Sequence, residues 1–138
     1  MRDIKFRLIN RFNKIVGYEK WYTGVWDKDK SWSALPCWLY STDQKSWRPE
    51  EIKHRTKDQY TGLHDKNGKE IYEGDILEYH DGTGVRDRDK VEWLIDGWYC
   101  AQPMHTLFLH KYWEIIGNIY ENPELLEADK PYRQSEVK

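Results

Sequence analysis

Between positions 64 and 80 the chain gathers His64, Asp65, Glu70, Glu73, Asp75 and His80, a stretch where carboxylates and imidazoles are dense enough to suggest chemistry. Such a set has the donors to hold a divalent cation or to pair a general acid with a base. Its spacing matches no metal-binding signature, however, and two of the acids have structural reasons to be there. Asp65 opens Asp65-Lys66-Asn67-Gly68 and Asp75 follows Gly74, and an aspartate in a tight turn hydrogen-bonds its own backbone. His105 and His110 are an odd number of residues apart, which puts them on opposite faces of a strand and prevents joint chelation. A Gly-x-Ser-x-Gly elbow, a phosphate-binding glycine loop and a Cys-x-x-Cys pair are all missing from the sequence. The expectation is a protein with no cofactor, no metal and no assignable catalysis. Asp65, Gly68, Gly74, Asp75 and Gly117 are then structural turn positions. Valine at Gly68 or Gly74 is expected to lower stability, and asparagine at Asp65 or Asp75 to do much less. A metal-dependent enzyme on His64, Asp65, Glu73, Asp75 and His80 is the minor alternative.

A different chemistry lies between Lys14 and Arg48, where Tyr18, Trp21, Tyr22, Trp26, Trp32 and Trp47 interleave with Lys20, Lys28, Lys30 and Lys45. The chain has 8 Trp and 10 Tyr, more than one small core takes up, and surplus aromatics favour interfaces. Trp21, Tyr22, Trp26, Trp32, Trp47 and Arg48 are therefore the candidate binding residues, and the partner is another protein or a second copy of the chain. The alternative is single-stranded nucleic acid, with bases stacking on the aromatics and Lys20, Lys28 and Lys45 tracking phosphates. A third reading makes alternate aromatics core and the lysines their solvated neighbours. Glu19, Asp27, Asp29 and Asp43 dilute the positive field, and the net charge of −2 provides no general attraction to nucleic acid.

The elements that must position these residues are strands. Ile4, Phe6 and Leu8 alternate with Lys5 and Arg7, the period of a strand with one buried face, and Arg11 to Lys14 turn the chain so that Ile15 to Tyr18 pair back. Trp21 to Trp26 reads as a strand with a bulge at Gly24, ending at the polar run Asp27 to Ser31. Pro36 restricts the Trp32 to Tyr40 segment to an edge strand. Trp47 to Ile52, with Pro49 at a first turn, predicts a short helix. Leu63 and Ile71 flank a hairpin turned by Asp65 to Gly68, and Glu73-Gly74-Asp75 reverses the chain again into Ile76 to Tyr79. Asp81 to Asp89 reads as a polar loop. Asp96-Gly97 joins Lys90 to Ile95 with Trp98 to Ala101 in a further hairpin. His105 to Lys111 is a weak strand and Trp113 to Tyr120 a stronger one, in which Gly117 lets another backbone approach. Asn122-Pro123-Glu124-Leu125-Leu126 predicts a capped short helix. The fold class is mainly β and antiparallel: a small SH3-like barrel-type half from about Gln59 to Tyr120, an aromatic β-rich N-terminal half and a short C-terminal helix.

With 138 residues the chain is long enough to bury a core without metals or disulfides. The reading is a single domain over 1–128 with an aromatic-rich core, then a polar, disordered tail over 129–138. Cys37 and Cys100, beside Trp38 and Tyr99, read as reduced, half-buried thiols of a cytoplasmic protein. No apolar run approaches the ~20 residues that span a bilayer, so neither signal peptide nor membrane partner is expected. The basic residues between Arg2 and Lys20 and the acidic ones between Glu114 and Asp129 are expected to be neighbours in the fold or at a subunit contact.

Gln59 to Ile76, with its two glycine-punctuated turns, resembles the YopX family of phage and prophage proteins, together with Ile4-Lys5-Phe6-Arg7 and Glu114 to Leu126. The resemblance implies a small β-rich accessory protein of phage or prophage origin in the bacterial host cytoplasm. It brings no catalytic residues, and Gly62, Gly68, Gly74 and Gly117 match it as fold positions. Val16 to Arg55 and the loop from Asp81 to Asp89 carry no family pattern, which leaves any function there particular to this chain.

Overall fold

In a computed structural model the described residues are 4–23, 25–27, 32–34, 36–80, 85–94, 96–100, 102–104 and 109–127. The expected bulge at Gly24, the run 28–31, His105, the His110 side chain and the tail 129–138 lie outside them. The chain divides into two compact units, Met1–Tyr60 and Thr61–Lys138. The fold is predominantly antiparallel β, as the alternation and turn residues indicate.

In the first unit, β1 (Lys5–Ile9) lies between β2 (Ile15–Tyr22) and β6 (Thr56–His64), and β5 (Cys37–Ser41) closes the sheet beyond β2 as the expected edge strand. The pairs Phe6 with Glu19 and Gln59, and Arg7 with Tyr18 and Asp58, set the register. β3 (Val25–Asp27) and β4 (Trp32–Ala34) form a separate two-stranded ribbon, with Trp26 opposite Ser33 and Trp32 opposite Asp27.

β1 does not obey its simple alternation. Lys5 and Arg7, expected in solvent, are buried, while Ile4 is 47% exposed. The reason is pairing. A guanidinium nitrogen of Arg7 lies 3.3 Å from Asp58 Oδ2 with both side chains buried, and Lys5 donates to Gln44 Oε1 at 2.9 Å with its ammonium 4.9 Å from the Tyr60 ring centroid. Charges with such partners can leave water, whereas unpaired ones cannot.

The helix expected at Trp47 to Ile52 does not form. Arg48 instead uses its backbone N–H and carbonyl to pair with Tyr40, at 2.9 and 2.7 Å. The preceding loop is fixed by Asp43, whose Oδ1 accepts from the backbone N–H groups of Lys45 and Ser46. Those bonds hold the Asp43 carboxyl below its ordinary pKa.

In the second unit, the far end of β6 pairs with β7 (Glu70–Tyr72) as the expected hairpin, and β8 (Asp75–His80) is flanked by β9 (Val85–Lys90) and β13 (Trp113–Asn118). β10 (Glu92–Leu94), β11 (Gly97–Cys100) and β12 (Gln102–Pro103) form another antiparallel sheet, in which Trp93 faces Trp98 and Leu94 faces Gly97. A closed barrel is not found among the described residues. Among those residues β9 and β13 each pair with β8 alone, so their sheet does not close.

Two further elements differ from the sequence reading. The expected loop 81–89 is a strand from Val85 onward, because its backbone pairs with β8 while Arg88 donates through Nε to Glu78 Oε2 at 2.9 Å. Of the weak strand expected at 105–111 the described part is helical: α1 (Leu109–Tyr112) buries Leu109 in the core and packs Tyr112 against that core. The terminal helix, α2 (Glu124–Glu127), is present as expected. Leu125 and Leu126 donate their N–H groups to the carbonyls of Asn122 and Pro123.

The core of this unit gathers Ile71, Leu77, Val91, Cys100, Met104, Leu109 and Trp113. It is mainly aliphatic rather than aromatic-rich, with Tyr79, Trp98 and Tyr112 packed against it. Gly68 and Gly74 sit at φ 82° and 88°, as their turns require. Gly117 gives close approach to a side chain rather than a backbone, since a Cβ there would stand 2.5 Å from Asn122 Oδ1.

Asp65 does more than close its turn. Oδ1 accepts from the N–H groups of Asn67 and Lys69, each at 2.9 Å, and Oδ2 accepts from the N–H of Ile115 at 3.0 Å, which ties the turn to β13. Lys66 adds a backbone bond to the Trp113 carbonyl at 2.9 Å. The expectation that asparagine does little is thereby reversed at this position. Asp65→Asn replaces one acceptor by a donor facing N–H and should cost about 1–3 kcal/mol. That is comparable with the ~1–2 kcal/mol expected for Gly68→Val. Urea unfolding of the two variants measures both, and an Asp65→Asn protein as stable as the parent would show that the carboxylate does not hold β13.

Candidate binding surface

The side chains of one face of the first sheet follow from its register. Phe6 lies across from Glu19 on β2, Trp21 of β2 across from Trp38 of β5, and Glu19 across from Tyr40. Period-two alternation therefore puts Phe6, Glu19, Trp21, Trp38 and Tyr40 on the same side, and Lys57, opposite Leu8, joins them. The Trp21 and Trp38 rings meet edge to face with centroids 5.2 Å apart, and Phe6 reaches Trp38 at 6.0 Å.

Polar groups beneath hold this aromatic row. Glu19 is buried, and its carboxylate accepts from the Tyr40 hydroxyl at 2.6 Å and from Lys57 Nζ at 2.7 Å. The same ammonium lies 4.4 Å from the Phe6 ring centroid and 5.2 Å from that of Trp38. Burial first, then the hydrogen bond and charge of Glu19, push the Tyr40 phenol well above its ordinary pKa. The rings above remain accessible: Trp21 is 37% and Trp38 36% exposed, beside exposed Ile4.

The six candidate binding residues do not form one surface. Trp21 lies on the aromatic row. Tyr22, opposite Cys37, points to the other side of the sheet, as does Lys20, whose ammonium sits 4.3 Å over the Trp47 ring. Arg48 is exposed and paired through its backbone to Tyr40. For Trp26 and Trp32 the backbone register is defined, but their side chains lie outside the described residues. The interleaved aromatic and basic ladder is thus split between two faces.

Trp38 is absent from the sequence candidates, because its pairing with Trp21 depends on the β2 and β5 register, which no local pattern encodes. Trp93, 54% exposed and edge to face with Trp98 at 5.0 Å, is a further accessible aromatic, in the other unit.

The acid and imidazole set of 64–80 does not assemble as a metal centre: among the described residues no three His, Cys, Asp or Glu side chains are placed to hold an ion. Asp65 is used as above, and Asp75 Oδ2 accepts the N–H of Tyr72 at 2.8 Å. His80 lies 2.9 Å from Glu78. Both cysteines are free thiols. Burial, followed by the charges of Asp89, Asp87 and Glu92, pushes the Cys100 thiol well up and keeps it protonated. Arg7 and Glu114, drawn from the basic and acidic ends of the chain, each find an opposite charge within their own unit, in Asp58 and Lys66.

The family model described as YopX protein matches residues 5–127. The crystal structure of protein EF1440 from Enterococcus faecalis is similar to 88% of this chain and 86% of its own, with 24% identity and a TM-score of 0.45. No curated protein matches the chain.

The anchoring of the aromatic row can be measured. Tyr40→Phe removes the 2.6 Å bond to the buried Glu19 carboxylate and should cost ~1–2 kcal/mol in urea unfolding. Because the folded-state pKa of Tyr40 is raised, this contribution is fully present below pH 10.0, the ordinary tyrosine value, and is lost as pH rises through the folded-state value. A Tyr40→Phe protein with parental stability at neutral pH would contradict the anchoring role.

Proposed function

We propose that this chain, which belongs to the YopX protein family, is a noncatalytic accessory protein of a phage or prophage. It acts by binding another protein or a second copy of itself through the aromatic face of its first unit. The observation that carries the reading is the accessible Trp21 and Trp38 pair, set beside exposed Ile4 and fixed from below by Lys57 and Glu19. Single apolar side chains on a surface are ordinary, but a contiguous group containing two tryptophans is the composition of an interface centre. Its anchoring restricts the rings before a partner arrives, so less side-chain entropy is lost on binding.

Single-stranded nucleic acid on this same face has less support. Its described cation, Lys57, is already committed to Glu19, so the face offers rings without an available positive track. The working compartment in this reading is the cytoplasm of the bacterial host. Among the described residues no helix is long and apolar enough to cross a membrane.

The test substitutes Trp21→Ser and Trp38→Ser together and measures thermal unfolding and mass in solution over a concentration series. The parent protein should gain mass with concentration, and the variant should stay monomeric while still folding cooperatively. A monomeric parent at every concentration discards self-association and leaves the heterologous partner. Loss of folding in the variant would make the pair core and remove the proposed interface.

A further inference from the structure

A second feature of the first unit, away from the Trp21 and Trp38 pair, has a different chemistry. A cleft of about 480 Å³ is lined by Asn10, Arg11, Phe12, Val16, Lys53, His54 and Arg55. No carboxylate is among these residues. The charged residues of the lining, Arg11, Lys53 and Arg55, are all basic, in a chain whose net charge is −2. Positive charge is therefore concentrated here against the balance of the whole molecule, which is what selects an anion.

The cleft is also built rather than incidental. Asn10 Oδ1 accepts from the backbone N–H groups of Phe12 and Lys14 at 2.8 and 3.0 Å, and Asn10 N–H donates to the Lys14 carbonyl at 2.9 Å, which fixes the turn. Arg55 docks the other wall through its backbone N–H to the Ile9 carbonyl at 2.8 Å and its guanidinium to Asn13 Oδ1 at 3.2 Å. The fixed turn presents Phe12 at 66% exposure, with the Arg11 guanidinium 4.9 Å from its ring centroid. A solvent-facing aromatic ring carried on a fixed turn offers a stacking platform.

We infer that this cleft binds a nucleotide, with the phosphate held among Arg11, Lys53 and Arg55 and the base stacked on Phe12. The volume falls within the usual range for small-molecule sites, about 300–1,000 Å³. Arginine forks match phosphate oxygens in bidentate geometry, and an aromatic face accepts any base. The nucleotide arrives either free or as one unit of a single strand, and both present the same phosphate and planar ring.

The experiment measures fluorescence anisotropy of a labelled oligothymidylate and of a fluorescent ATP analogue, at two salt concentrations, with the full-length chain. Binding of the oligothymidylate alone assigns the site to single strands, and binding of the analogue with comparable affinity assigns it to free nucleotide. Either should weaken with salt. For the single strand, Arg11→Ser and Lys53→Ser, both at exposed side chains, should each reduce the slope of log affinity against log salt by ~0.7. Phe12→Ala should weaken binding about five- to 150-fold without changing thermal unfolding. No binding of either probe at low salt overturns the inference. So does binding that is indifferent to Arg11, Lys53 and Phe12, or that is lost instead on Trp21→Ser with Trp38→Ser. Polyglutamate displacing the probe as efficiently as unlabelled oligothymidylate would show a site for charge alone, and would overturn the nucleotide assignment.

Discussion

The first sheet depends on the meeting of Arg7 and Asp58 across β1 and β6. The two are direct cross-strand partners, both are buried, and a guanidinium nitrogen lies 3.3 Å from a carboxylate oxygen. Burying two charges is costly, and attraction at low dielectric offsets the cost only when the groups touch and their remaining valences are used. Removing one partner of such a pair commonly costs about 3–5 kcal/mol, which is much of a small domain's stability. Paired strands in this register put Lys5 and Tyr60 on the same side, so that face is filled by aliphatic stems, paired heads and an aromatic ring. The tryptophan bulk of β2 and β5 is carried on the opposite face, where Glu19 and Lys57 secure it.

The second unit uses buried carboxylates for another purpose. Asp65 and Asp75 are both 2% exposed, and each accepts backbone N–H groups at a chain reversal. A carboxylate serves there because it offers acceptors in several directions, which a neutral amide does not. Asp65 extends this from its own turn to the N–H of Ile115, far along the sequence. Two of the six residues whose types suggest metal chemistry, Asp65 and Asp75, thus serve as fixed points of the backbone, around a core that remains aliphatic at its centre.

Much of this architecture is legible in the sequence because its signals are local. Positive-φ glycines at 68 and 74, the hairpin at Asp96-Gly97 and the proline-marked edge strand β5 depend on residues within a turn of one another. The failures have a common cause in long-range pairing. A period of two cannot reveal that Lys5 and Arg7 turn toward partners 39 and 51 positions away. Nor does a run as polar as Val85 to Lys90 declare itself a strand until Glu78 supplies the acceptor for Arg88. The aromatic surface was legible in composition but not in membership. Trp38 joins Trp21 only through the β2 and β5 register, which also turns Tyr22 away.

The first sheet encloses charges and presents tryptophans, the reverse of the usual partition. Hydroxyl-radical footprinting of the dilute protein, read by mass spectrometry, addresses it residue by residue. Trp21 and Trp38 should oxidise much faster than the buried Trp113, and should become protected as concentration or a partner covers the face. Trp21 and Trp38 reacting as slowly as Trp113 in dilute solution would contradict the account.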